Sequence, residues 1–238
     1  MGKSLIQQKR GKGSSRYRAP SFRYEGTAKF GRYEDKGATA NITDLIHSSG
    51  HSAPLMELEY SGGQTGLLQA PEGIKVGDMI KIGKDVEIKS GNILPLKSIP
   101  EGTSIYNIES KPGDGGKFVR TSGAFAKIIT KMEDNIVVEL PSSKRRIFLP
   151  ECRAVIGIIA GSGRTEKPFL KAGNKFYKMR AKNKFWPNVS GTSMNSVSHP
   201  FGGSSSHAKG IPTQSARNDP PGRKVGKIAP KRTGRRKR

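Results

Sequence analysis

A histidine among hydroxyls is where this sequence comes nearest to catalytic chemistry. Ser196 and Ser198 precede His199, and a serine nucleophile beside an imidazole base would make a hydrolase. Such a base needs a group to orient it, and no Asp or Glu stands anywhere from Lys167 to Asn218. The surrounding stretch, Met194-Asn195-Ser196-Val197-Ser198-His199-Pro200-Phe201-Gly202-Gly203, has no apolar periodicity, so it cannot fold by burying a face of its own. Pro200 biases His199 toward an extended conformation, and Gly202-Gly203 admits backbone angles and close approaches closed to other residues. We therefore read His199 as a packing and hydrogen-bonding wedge, not a catalyst, in a chain shaped by its partner.

Other chemistries find less support. The four histidines are His47, His51, His199 and His207. His47 and His51 are four apart, but no cysteine or His-Glu motif joins them, and zinc wants three or four convergent ligands. Gly113-Asp-Gly-Gly116 and Gly161-Ser-Gly163 lack the Gly-Lys-Ser/Thr ending of a phosphate-binding loop and read as tight turns. Their N–H groups, beside Lys117 and Arg164, could still touch phosphates. Cys152, the single cysteine, sits between Glu151 and Arg153 beside an apolar run. It reads as a small packed residue in a reducing compartment. The expectation is no enzyme, no metal site, no cofactor and no small-molecule substrate; structural magnesium between phosphates would belong to RNA.

Charge says more. Against 19 acidic residues stand 43 Lys and Arg, a net charge of +24, which is ordinary for a nucleic-acid binder and extreme for a soluble enzyme. By segment the net charge is +7 over 1–36, −3 over 37–108, +3 over 109–160, +7 over 161–208 and +10 over 209–238. A nearly neutral middle with cationic ends is the pattern of a folded body anchored by arms into a polyanion. A membrane surface is not expected, because no basic amphipathic helix is visible and the longest apolar stretch, 154–160, is far too short to span. Nor do residues 1–36 hold an apolar run of the kind that opens a secreted protein.

In the first arm, Lys12, Arg16, Arg18 and Arg23 are candidate phosphate contacts, with Tyr17, Phe22 and Tyr24 as stacking planes. The run 175–186 packs cations and rings together. As an extended segment it would put rings of one face into a core, with Lys182 and Lys184 on the face of Trp186. Arg180, Lys182 and Lys184 are its candidate RNA contacts, and Trp186-Pro187 is expected to wedge the arm against the body. The bend supplies Met194, Asn195, His199, Pro200, Gly202 and Gly203 at the innermost contact, and His207 could donate to a phosphate or base. Arg217, Arg223, Lys224, Lys227 and Arg232 serve the last arm.

The elements behind these residues are short strands. Alternation marks 56–60, 80–82 and 86–88, and a second series covers 105–108, 125–130, 136–140, 146–149 and 154–160. Gly- and Pro-rich turns punctuate them, and the stretch 92–100 reads as a linker. The expected fold is mainly β: two small barrels that close their own edges, with extended basic arms. The expected divisions are an N-terminal arm (1–36), a first barrel (37–92), a second barrel with a basic extension (93–189) and a C-terminal RNA-binding arm (190–238). No recognition helix for a DNA groove is evident.

Successive motifs then carry a resemblance. Leu68-Gln-Ala-Pro-Glu-Gly-Ile-Lys-Val-Gly-Asp78, Gly91-Asn-Ile-Leu-Pro-Leu96, Ile99-Pro-Glu-Gly-Thr103, Asn107-Ile-Glu109, Pro112-Gly-Asp-Gly-Gly116 and Arg153-Ala-Val-Ile-Gly157 occur in order. Glu166-Lys-Pro-Phe-Leu-Lys-Ala-Gly173, Trp186-Pro187, the His199 stretch, Pro220-Pro-Gly-Arg-Lys-Val-Gly226 and Lys231-Arg-Thr-Gly234 follow. Together they resemble the large-subunit ribosomal protein L-two family, in its archaeal and eukaryotic branch, over essentially the whole chain. The resemblance implies an oligonucleotide-binding-type barrel followed by an SH3-like barrel, with both termini threaded into large-subunit ribosomal RNA. It further implies a cytoplasmic location in the ribosome near the peptidyl transferase region, neighbouring ribosomal proteins, and a part in holding the subunits together through contact with the small subunit. The family commonly has an acid just before the histidine, where this chain has Ser198, which weakens an acid–base role further. It also tends to be richer in glycine where this chain has Ser204-Ser205-Ser206-His207. The rival reading is a basic protein that compacts nucleic acid, which would bind duplex DNA as well as folded RNA.

Overall fold

Alternating burial along short strands builds one extended sheet. The computed structural model describes residues 6–31, 37–203 and 211–231. After a short helix α1 (Ile6–Gly11) come β1 (Ala38–Ile46), β2 (Leu55–Tyr60), β3 (Thr65–Gln69), β4 (Met79–Ile82), β5 (Ile93–Pro95) and β6 (Ser104–Tyr106). They continue as β7 (Ala126–Lys131), β8 (Ile136–Glu139), β9 (Arg145–Phe148) and β10 (Arg153–Ile156). These make a ten-stranded sheet in the order β3-β2-β1-β4-β5-β10-β6-β7-β8-β9. Its pairs are antiparallel except β4 with β5. The fold is mainly β, as the alternation implied.

Two hydrophobic cores share the sheet, and period-two geometry explains how. In β5, β6 and β10 neighbouring side chains point to opposite faces. Ile93, Tyr106 and Val155 join a core with Ile42, Met56, Leu58, Leu68 and Ile80. Leu94, Ile105, Ala154 and Ile156 join a second core with Ile99, Ile128, Ile136, Val138 and Phe148. The three strands are thus a wall between the two cores. This corrects the reading of 92–100 as a linker: Asn92 through Leu96 are buried, and Leu96 and Ile99 are fully so. A short apolar run bounded by Gly91 and Pro100 looks like a connector only while its two partner strands are unknown.

Residues 86–88, expected as a strand, are irregular. Here a side chain takes the place of a ladder: Asn92 Nδ2 donates to Glu87 O at 2.9 Å, while its Oδ1 accepts from Lys81 N–H at 3.0 Å. β1, by contrast, was not marked by alternation, because Ala38 and Ala40 carry too little apolar surface to stand out.

A buried ion pair fastens a glycine-rich turn to β10. Glu109 is fully buried and accepts from Gly113 N–H and Gly115 N–H, each at 3.3 Å. The Arg153 guanidinium donates to it at 2.8 Å and the Arg153 N–H at 2.9 Å. With its acceptor sites so occupied, the carboxylate is stable away from water. Cys152, also fully buried, has its thiol pushed up to about 11, first by burial.

By proximity the chain divides into two units: Ser21–Leu170, which holds this sheet, and Met1–Pro20 joined with Lys171–Arg238. The second contains α1, a ten-residue helix α2 (Ala172–Ala181), and a two-residue parallel pair of β11 (Gln214–Ser215) with β12 (Lys227–Ile228). Helix α2 corrects the extended reading of 175–186. The chain has no side-chain N-cap here and carries Gly173 in the first turn, so the usual start signals are missing. The stop signal is present: Asn183 adopts φ 49°, its N–H donates to Arg180 O and Lys184 N–H donates to Met179 O, the paired bonds of a Schellman motif.

Candidate nucleic-acid interface

The bend around His199 is closed by its own backbone. Ser198 and His199 N–H both donate to Asn195 O, Gly202 N–H donates to His199 O, and Gly203 N–H reaches Met194 O at 3.2 Å. A Cβ on Gly202 would overlap the carbonyl oxygens of Met194 and Asn195, and one on Gly191 would overlap the His199 ring. Both positions therefore need glycine for close approach. The His199 ring is packed within the bend, with the Phe201 ring centroid 5.0 Å from its own.

Phe201 N–H donates to His199 Nδ1 at 3.0 Å. An accepting Nδ1 places the proton of the neutral ring on Nε2. Burial holds the imidazole below its ordinary value of 6.5, so the neutral form is favoured. His199 is consequently a fixed donor through Nε2–H, and its basic nitrogen is already occupied by the backbone. That suits hydrogen bonding to an acceptor better than proton abstraction.

A cavity of about 800 Å³ opens beside this ring. Lys9, Arg10, Lys12 and Arg16 line it from the N-terminal segment, and Phe185, Met194, His199 and Pro200 from the C-terminal one. No carboxylate is among its described lining residues. Arg10 and Arg16 hold their guanidinium carbons 5.8 and 6.0 Å from the Phe185 centroid, a cation–π arrangement. Two arms far apart in sequence are thus brought together here, which charge counting along the chain could not reveal.

The other expected contacts are distributed as follows. Lys12, Arg16, Arg18, Arg180, Lys184, Arg217 and Lys227 are exposed, and Lys182 and Lys224 are half-buried. Arg23 belongs to the sheet-bearing unit, where its guanidinium carbon lies 5.3 Å from the centroid of the exposed Phe22 ring. Arg223 directs one guanidinium nitrogen at the carbonyls of Pro212 and Gln214, both at 3.3 Å, and so braces its own segment. His207 and Arg232 lie outside the described residues. Among the described residues no three His, Cys, Asp or Glu side chains gather as a metal would require, and no helix is long and apolar enough to cross a membrane. Sequence reasoning missed Lys9 and Arg10 as lining residues, although both stand in the last turn of α1. It also missed Asn183, whose Nδ2 donates to Ser15 O at 2.6 Å and Arg18 O at 2.8 Å.

A mainly-β body joined to a cationic unit with a ring-lined, acid-free cavity defines a class: basic β proteins that work against a polyanion. Comparison with known proteins narrows it. Residues 89–222 match the family model described as Ribosomal Proteins L2, C-terminal domain. The large ribosomal subunit protein uL2 of Archaeoglobus fulgidus is 49% identical over 234 residues, covering 98% of this chain and 99% of that protein. The uL2 of Methanocaldococcus jannaschii is 51% identical over 242 residues, covering all of both, and that of Haloarcula marismortui 49% over 236, covering 99% and 98%. The chain belongs to the uL2 family of large-subunit ribosomal proteins, in its archaeal branch.

Proposed function

We propose that the protein scaffolds large-subunit ribosomal RNA near the peptidyl transferase region and supports association of the subunits, without catalysing a reaction. The two cores of the sheet serve as the oligonucleotide-binding-type and SH3-like barrels that the family resemblance implies, a stiff body that recognises RNA shape. The cationic unit supplies the affinity: its lysines and arginines displace the counterions of phosphates that must pack closely. Met194, Asn195, Pro200, Gly202 and Gly203 shape the bend that presents His199 Nε2–H to an RNA acceptor. Neighbouring ribosomal proteins and the small subunit would meet the surfaces that RNA leaves free.

The observation that carries this reading is the acid-free cavity in which Lys9, Arg10, Lys12 and Arg16 face His199. Competition between ribosomal RNA fragments and duplex DNA, repeated across a salt series, tests it. A preference for the RNA fragments that persists as salt rises is expected. Equal affinity for both would favour a general nucleic-acid-compacting role instead.

A further inference from the structure

Charge neutralisation does not account for the rings exposed along α2. None of the ten residues of this helix is buried, and Phe176 and Tyr177 are 43% and 67% exposed. Neutralising phosphate needs cations alone, and exposed rings gain nothing from it. Beside Phe176 a cleft of about 270 Å³ is walled by the rings of Phe185 and Trp186 and by the cations Arg16, Arg180 and Lys184.

We propose that this cleft seats a single unpaired nucleotide of RNA, its base against the Phe176 and Trp186 rings and its flanking phosphates on Arg16, Arg180 and Lys184. The proposal rests on the RNA-binding reading and assigns a chemistry to one part of it. Aromatic faces accept any base that has left its stack, whereas a duplex keeps its bases paired and presents only its backbone and groove edges. The described lining residues include no carboxylate, which disfavours a cationic ligand. Asn183 builds the site: its backbone ends the helix, and its two bonds to Ser15 O and Arg18 O hold the chain on either side of Arg16. Arg16 in turn lies over Phe185, at 6.0 Å. Asn183 is a positioning residue that acts through Arg16.

Trp186 is the only tryptophan, so its emission reports on the cleft. The full chain is titrated with a single-stranded RNA of about eight nucleotides, an abasic ribose-phosphate strand of equal length, and an RNA duplex. The base-bearing strand should quench Trp186 and bind about ten-fold more tightly than the abasic strand. Phe176→Ala should remove most of that ratio. Asn183→Gly keeps the left-handed backbone but loses both carbonyl bonds, and should lower the ratio several-fold in the wild-type background yet hardly at all beside Arg16→Ala. Equal quenching by base-bearing and abasic strands overturns the proposal, as does a ratio untouched by Phe176→Ala and Asn183→Gly. Failure of the wider reading looks different: duplex DNA would then compete as well as ribosomal RNA in the salt series, whatever Trp186 does.

Discussion

The two units of this chain solve the problem of stability in opposite ways. Ser21–Leu170 carries 20 basic and 18 acidic residues, a net charge of +2. Met1–Pro20 with Lys171–Arg238 carries 23 basic residues and one acid, Asp219, a net charge of +22. Of the buried apolar side chains among the described residues, Val225 alone lies in the cationic unit. The first unit is stabilised by buried area and by charges compensated inside it, as Glu109 and Arg153 are. The second has scarcely any apolar burial to offset chain entropy and self-repulsion, and on the proposed reading an external polyanion supplies most of its stabilisation. The lesson is that core and charge are separable: one region holds the buried apolar area, and the other, on the proposed reading, is the interface.

That contrast can be broken from either side. Glu109→Ala, which strands the Arg153 guanidinium and two turn N–H groups, should cost the sheet-bearing unit about 3–5 kcal/mol. Thermal unfolding would read the loss, while the salt dependence of RNA binding should stay where it was; a change in both would couple the two roles. Gly191→Ala should push the His199 ring aside at a cost of about 1–3 kcal/mol to the bend. Its effect should fall on RNA affinity and leave the main unfolding transition alone, as parallel binding and melting curves would show.

Two smaller effects sharpen the comparison. His199 is held below 6.5 by burial, so its folded form binds protons less readily than its unfolded form. The stability it contributes is therefore present above pH 6.5 and lost as pH falls through the lowered folded value. An NMR titration of its ring carbons should place the midpoint below that of a free histidine; a midpoint at or above 6.5 would show that the ring is not packed as described. Cys152, with its thiol at about 11, should resist alkylation at neutral pH until the sheet unfolds, and rapid labelling of the native protein would argue against its burial.

How much of this was legible from sequence follows the same divide. Strands with strong alternation, such as 56–60 and 80–82, could be read directly because their apolar faces repeat every second residue. Within the wall, 105–108 and 154–160 could be read as strands, but β5 could not, since Ile93-Leu94-Pro95 serves both cores, is apolar at every position and shows no alternation. His199 and the basic residues were legible as types. Their assembly was not: the meeting of Lys9, Arg10, Lys12 and Arg16 with His199 depends on contacts across more than 170 positions of chain. Helix α2 escaped because its signal lies in the Asn183 terminus and not in any apolar face.

The most direct test compares the full chain with a fragment of residues 21–170 for binding to one ribosomal RNA fragment, between 50 and 200 mM salt. Circular dichroism melting first checks that the shorter chain unfolds cooperatively. The full chain should lose roughly a thousand-fold in affinity or more over that range, as expected for six or more phosphate contacts. The fragment should bind weakly and respond far less to salt. If residues 21–170 retained the full affinity and the full salt response, the cationic unit would not be the interface, and the central claim would be contradicted.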